Sequence, residues 1–126
     1  MPSVNQNDII ANLAATQNFT QGESQAYTIN LYRNSIGNYF RANAASNITC
    51  TILDSNGATL SIFSTATGGT NLPLTISTVN QGDISFTIPV TASAYYPSGT
   101  IYAKISIVLG NFYPRGITYN FANLEL

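Results

Sequence analysis

A chain of 126 residues is long enough for one domain with a buried core, and 44% hydrophobic residues argue against disorder. Only 7% of its residues are charged, against roughly 25% in average soluble proteins, and the net charge is −1. Arg33, Arg41, Lys104 and Arg115 are too few to track a phosphate backbone, which argues against nucleic acid as a partner, and no apolar run approaches the length that spans a membrane.

Residues 1–25 read as an N-terminal arm or edge segment ahead of a β-sandwich domain at 26–126. The run Asp8-Ile9-Ile10-Ala11-Asn12-Leu13-Ala14-Ala15 fits a short helix capped near Asn7 or Asp8. It fits an extended arm or an edge strand as well, and the three alternatives stay open. Ile9, Ile10, Leu13 and Phe19 are the apolar side chains such an arm would dock on a neighbouring subunit.

From Tyr27 onward the apolar period is two. Tyr27, Ile29 and Leu31 alternate with Thr28, Asn30 and Tyr32, then Ser35 to Asn38 loops and Tyr39-Phe40 gives a short edge segment. Ile48, Cys50 and Ile52 form the next inward run, and Asp54-Ser55-Asn56-Gly57 turns it into a strand with Leu60 and Ile62 in phase. Asn-Gly supplies the positive φ that a tight hairpin requires. Residues 67–71 connect to Leu72, Leu74 and Ile76, where Pro73 marks a strand start or an edge.

Asn80 to Asp83 turns into Ile84, Phe86 and Ile88, closed by Pro89. Thr91 through Tyr96 then cross to the next strand over the turn Pro97-Ser98-Gly99. Ile101, Ala103, Ile105, Ile107 and Leu109 share one phase of a long strand. Residues 110–116 lead to Ile117, Tyr119 and Phe121, after which the phase slips to Ala122, Leu124 and Leu126, as a bulge near Phe121 produces. About seven or eight short strands with regular turn signals predict an all-β antiparallel sandwich with a short N-terminal arm. A small barrel is the alternative.

The chemistry of catalysis is sparse. The chain has no His, which removes the commonest general base and zinc ligand. Lys104 falls mid-strand on the solvent phase, and Asp54 and Asp83 fall in turns, where Asp serves local hydrogen bonding. A glycosidase needs two carboxylates across one cleft, and calcium a denser oxygen cluster than the turn at Asp54 offers. Cys50, the one cysteine, sits in an apolar run and reads as core. The expectation is a non-enzyme with no catalytic residues, no metal and no cofactor. Met1 to Ile10 lack the basic and apolar regions of a secretory signal, so the expectation is cytoplasmic synthesis.

The second half carries a resemblance. Gly82-Asp83-Ile84-Ser85-Phe86-Thr87-Ile88, followed by Tyr96-Pro97-Ser98-Gly99-Thr100-Ile101-Tyr102-Ala103-Lys104-Ile105, resembles paired strands of immunoglobulin-like domains in bacteriophage virion proteins. There, too, a Pro-x-Gly turn precedes a Tyr-bearing strand. Ile52-Leu53-Asp54-Ser55-Asn56-Gly57 is similar to their hairpin, and the likeness spans residues 48–109. It implies an immunoglobulin-like sandwich acting as a structural part of a tailed-phage particle: capsid decoration, neck, tail fibre or baseplate. Its partners would be other virion proteins and copies of itself, and its place the virion.

A surface of Asn, Thr, Ser, Gln and Tyr suits salt-insensitive protein contacts, and it equally follows from the β-propensity of Thr and Tyr. Two competing functions remain. A carbohydrate-binding module would stack sugar rings on Tyr95, Tyr96, Tyr102, Phe112 and Tyr113, although Trp is absent. An adhesin or pilus subunit would associate by strand addition.

Overall fold

Period-two alternation decides the architecture, and the computed structural model describes residues 3–6, 9–14, 20–33, 38–39, 47–66, 71–77, 82–97, 99–109, 117–120 and 124–126. Its strands are β1 (Ser3–Gln6), β2 (Ile9–Leu13), β3 (Gln25–Arg33), β4 (Asn38–Tyr39), β5 (Asn47–Leu53), β6 (Thr59–Ser64), β7 (Leu72–Pro73), β8 (Thr75–Ile76) and β9 (Asp83–Ile88). One helical turn, α1 (Val90–Ser93), precedes β10 (Tyr102–Leu109), β11 (Ile117–Asn120) and β12 (Leu124–Glu125). They make two six-stranded sheets. The first runs β1-β2-β3-β9-β8 with β4 on β3, and the second β11-β10-β5-β6-β7 with β12 on β10. The chain is all-β, and its one parallel pairing among the described strands is β6 with β7.

Both sheets turn their apolar phase into one core. Tyr27, Ile29 and Leu31 of β3 and Ile84, Phe86 and Ile88 of β9 enter it from the first sheet. Ile48, Cys50 and Ile52 of β5, Phe63 of β6 and Ala103, Ile105 and Ile107 of β10 enter it from the second. Lys104, one residue out of phase, is exposed. The rings of Phe63 and Phe86 meet at 4.7 Å between centroids, joining the two sheets, and Tyr27 stacks beside Phe86 at 5.6 Å. Each fully buried Ile or Phe contributes about 1.5–3 kcal/mol through removal of apolar surface from water.

The N-terminal segment is strand, not helix. β2 pairs with β3 from Ile9 opposite Arg33 to Leu13 opposite Ile29, and β1 folds back on β2. Ala11 and Leu13 are wholly buried. A helix this short is marginal alone, whereas the open edge of β3 offers a full ladder of partners and an inward face. The segment is therefore a strand of the same sandwich, with β1 outside it at the sheet edge.

The Asp54 turn matches its sequence signal. Asp54 N–H donates to the Ala58 carbonyl and Gly57 N–H to the Asp54 carbonyl, both at 3.0 Å. Gly57 takes φ +85, which a side chain would strain. Beyond the turn, Leu53 faces Thr59 but Ile52 faces Ser61, so Leu60 is an extra residue in β6. This bulge overturns the expected phase: Phe63 is buried and Ile62 faces solvent at 37% exposure.

The expected single strand through Leu72, Leu74 and Ile76 divides between the sheets. Pro73 has no N–H with which to extend a ladder, so β7 ends there on the edge of the second sheet. Leu74, buried in the core, donates its N–H to Ser64 at 3.0 Å, and β8 then pairs with β9 in the first sheet. Near the C-terminus the expected slip is present: β11 and β12 share the same edge of β10, with the register shifted by one residue between them. Leu124 is buried as a result, while Phe121 and Ala122 fall outside the described residues.

Candidate contact surface

Three connections gather at one end of the molecule: residues 20–24 before β3, 54–58 between β5 and β6, and 89–100 between β9 and β10. The last was expected as a plain crossing, but Pro89 opens a helical turn. Pro89, at φ −73, accepts from the N–H of Ala92 and Ser93, and Val90 accepts from Ala94. The small residues of Val90–Ser93 let this turn pack against the sandwich end, where Ser93 is wholly buried.

Hydrogen bonds to two other segments, residues 20–24 and β6, clamp the crossover. Ser93 Oγ donates to the Glu23 carbonyl at 2.8 Å. Gln21 Nε2 donates to the Tyr96 carbonyl at 2.6 Å. The Tyr96 ring returns into the core at 3% exposure and its hydroxyl donates to Ser61 Oγ. Burial pushes the Tyr96 phenol above its usual pKa, the Ser61 hydrogen bond opposes this, and the nearby Cys50 adds to it.

On this clamped loop Tyr95 stands 88% exposed and Val90 50% exposed. Thr91, Ala94, Pro97 and Thr100 beside them, and Thr20 to Ser24 across the clamp, are exposed too, with Glu23 the one charge among them. An exposed aromatic ring on a hydrogen-bonded backbone and an almost uncharged surface suits a protein contact, because the loop entropy of its backbone has already been lost. No family model, no curated protein and no solved structure matches the chain.

The residues expected on a contact surface are divided by the fold. Tyr95 is on it. Tyr96 and Leu13 are corrections: both are core residues, Leu13 on the inward phase of β2 and Tyr96 turned into the space beneath the crossover with its hydroxyl on Ser61. Tyr102 is half-buried on the outer phase of β10, opposite to Ala103, and Ile10 is half-buried on the outer phase of β2, facing Tyr32 in register. Those two lie on different sheets and do not form one patch. The side chain of Ile9, and Phe19, Phe112 and Tyr113, fall outside the described residues.

Val90 and Ile62 join the exposed apolar set without having been expected there. Val90 follows Pro89, where alternation stops, and that break was its available signal. Ile62 lines a shallow groove of about 260 Å³ with Thr59, Leu60, Ser61, Asn71 and Leu72. Its adjacent Phe63, competing for the same inward phase, was the corresponding warning.

Of the acids, Asp54 caps its turn, accepting from Asn56 and Ala58 N–H at 2.9 Å each. Asp83 accepts from Asn30 Nδ2 across β3 and β9. Burial pushes the Cys50 thiol up to about 12, so it stays protonated and unreactive at neutral pH. Among the described residues no three His, Cys, Asp or Glu side chains come together to hold a metal ion, and no helix is long and apolar enough to cross a membrane.

Proposed function

We propose that the chain is an immunoglobulin-like module working without catalysis as a structural part of a tailed-phage particle. In this reading it docks on other virion proteins through the end that carries Tyr95. The observation that carries the proposal is the exposed Tyr95 held on a crossover that Ser93, Gln21 and Tyr96 fix in place.

Strand order supports the immunoglobulin-like part. With β1 set aside, β2-β3-β9-β8 follows the first, second, fifth and fourth strands of that fold, and β11-β10-β5 the seventh, sixth and third. β6 beside β5 takes the place of the additional strand in variable-type domains. The low charge and the resemblance of residues 48–109 support the virion part.

Light scattering across a concentration series, with co-sedimentation on the particle encoded beside it, tests the reading. Self-association or particle binding that Tyr95→Ala weakens supports it. A chain that stays monomeric and binds no particle overturns it. Tyr95 alone also supplies one ring for stacking on a sugar, so saturable glycan binding lost in Tyr95→Ala selects the carbohydrate-binding alternative instead.

A further inference from the structure

The chain contains one Asn-Gly step, Asn56-Gly57, and the turn between β5 and β6 exposes both residues. Gly57 has no side chain to hinder attack by its own backbone nitrogen, and no described residue beyond its chain neighbours stands within 4 Å of where a Cβ would sit. We propose that Asn56 is a site of spontaneous covalent modification, passing through a cyclic imide to aspartate and isoaspartate, and that Asp54 restrains it.

The reaction needs only water and a solvent base. The Gly57 amide nitrogen gives up its proton and attacks Asn56 Cγ. A nitrogen–carbon bond forms as the Cγ–Nδ2 bond breaks, and ammonia leaves with a proton from solvent. Water then adds to either carbonyl of the imide ring. Opening at Cγ leaves aspartate in a normal backbone, and opening at the backbone carbonyl leaves isoaspartate, with the chain running through the side chain.

The folded turn opposes the first step. The Gly57 N–H, whose proton must leave, donates to the Asp54 carbonyl at 3.0 Å. Asp54 Oδ1 accepts from the N–H groups of Asn56 and Ala58, on either side of that nitrogen, at 2.9 Å each. Cyclisation therefore waits for the turn to open. The step is also one-way, because isoaspartate lengthens the backbone by a methylene inside a loop whose hydrogen bonds require the normal spacing. A new carboxylate would stand close in the chain to that of Asp54, opposing reclosure further.

The test incubates the full chain at mildly alkaline pH, folded and in urea, beside Asp54→Ala and Asp54→Asn, with peptide mass mapping and isoaspartate detection. Circular dichroism first establishes that each variant is folded. The folded parent is expected to convert Asn56 at least about tenfold more slowly than the urea-unfolded chain. Asp54→Ala is expected to convert severalfold faster than the parent, and Asp54→Asn, which keeps an acceptor oxygen, at close to the parental rate. Equal rates in the folded and unfolded parent overturn the proposal, and so does a folded Asp54→Ala that converts no faster. If Asp54→Ala fails to fold, the comparison of folded and unfolded parent decides alone.

Discussion

The hydroxyl of Tyr96 donates to Ser61 Oγ, tying the crossover after β9 to the start of β6 in the opposite sheet. The ring fills the core while the hydroxyl meets the Ser61 side chain, so a single residue fixes both the depth and the direction of the loop. Tyr95, its neighbour in the chain, is thereby turned to solvent.

Tyr96→Phe keeps the packing and removes that hydrogen bond. Chemical denaturation should show a loss of about 0.5–1.5 kcal/mol with an unchanged denaturant slope. Tyr96→Ala should cost about 3–5 kcal/mol, since it also leaves a cavity where the buried ring stood in the core.

Tyr95→Ala should leave stability within about 0.5 kcal/mol, because the ring is 88% exposed. The same change should weaken whatever association the chain makes by about 2 kcal/mol or more, the signature of a central aromatic anchor. Ser93→Ala separates the two effects: it leaves the Glu23 carbonyl without its donor, so both thermal stability and association should fall.

Cys50 sets a stability limit at alkaline pH. Its folded thiol titrates at about 12, above the ordinary value of 9.0, because burial disfavours the thiolate. Below pH 9.0 both states hold the proton and the contribution is complete. Between there and about 12 the unfolded chain releases the proton first, so stability falls as pH rises, by roughly 1 kcal/mol per pH unit. Urea midpoints measured across this window should decline more steeply for the parent than for Cys50→Ala. Tyr96, also raised chiefly by burial, adds a loss of the same sign in both proteins, smaller in Cys50→Ala, which lacks the Cys50 contribution to it.

Gly57→Ala isolates backbone strain. Apart from its chain neighbours, no described residue lies within 4 Å of the added methyl, yet φ is +85, so a destabilisation of about 1 kcal/mol should come from conformation alone. Gly57→Asn, which tolerates this region better, should cost less in the same denaturation assay.

Much of this fold is legible where local signals agree. Ile101, just before β10, and Ala103, Ile105 and Ile107 within it alternate without interruption and are wholly buried, and Asn56-Gly57 marks its turn with a residue that needs positive φ. The sequence is ambiguous where partners far along the chain decide. Ile9 to Leu13 fit helix and strand alike until the edge of β3 is there to pair with. Leu72, Leu74 and Ile76 alternate like one strand, and only the positions of two sheets reveal that Pro73 and Leu74 carry the chain between them. Tyr95 and Tyr96 are one residue type side by side, and alternation has stopped at Pro89. Which ring enters the core therefore depends on the space beneath the crossover and on Ser61 waiting within it.

The middle of each sheet joins strands distant in the chain, β3 with β9 and β5 with β10. Closing such loops precedes most of the favourable contacts, so folding should be slow for the chain's size, in the range of milliseconds to seconds. During synthesis the first half emerges with β3 and β5 each lacking a neighbour, and their apolar edges stay open until β9 and β10 arrive. A nascent chain that has emerged only as far as Asp83 would therefore be prone to aggregate, whereas one that has emerged past Leu109 would hold strands from both sheet centres already able to pair.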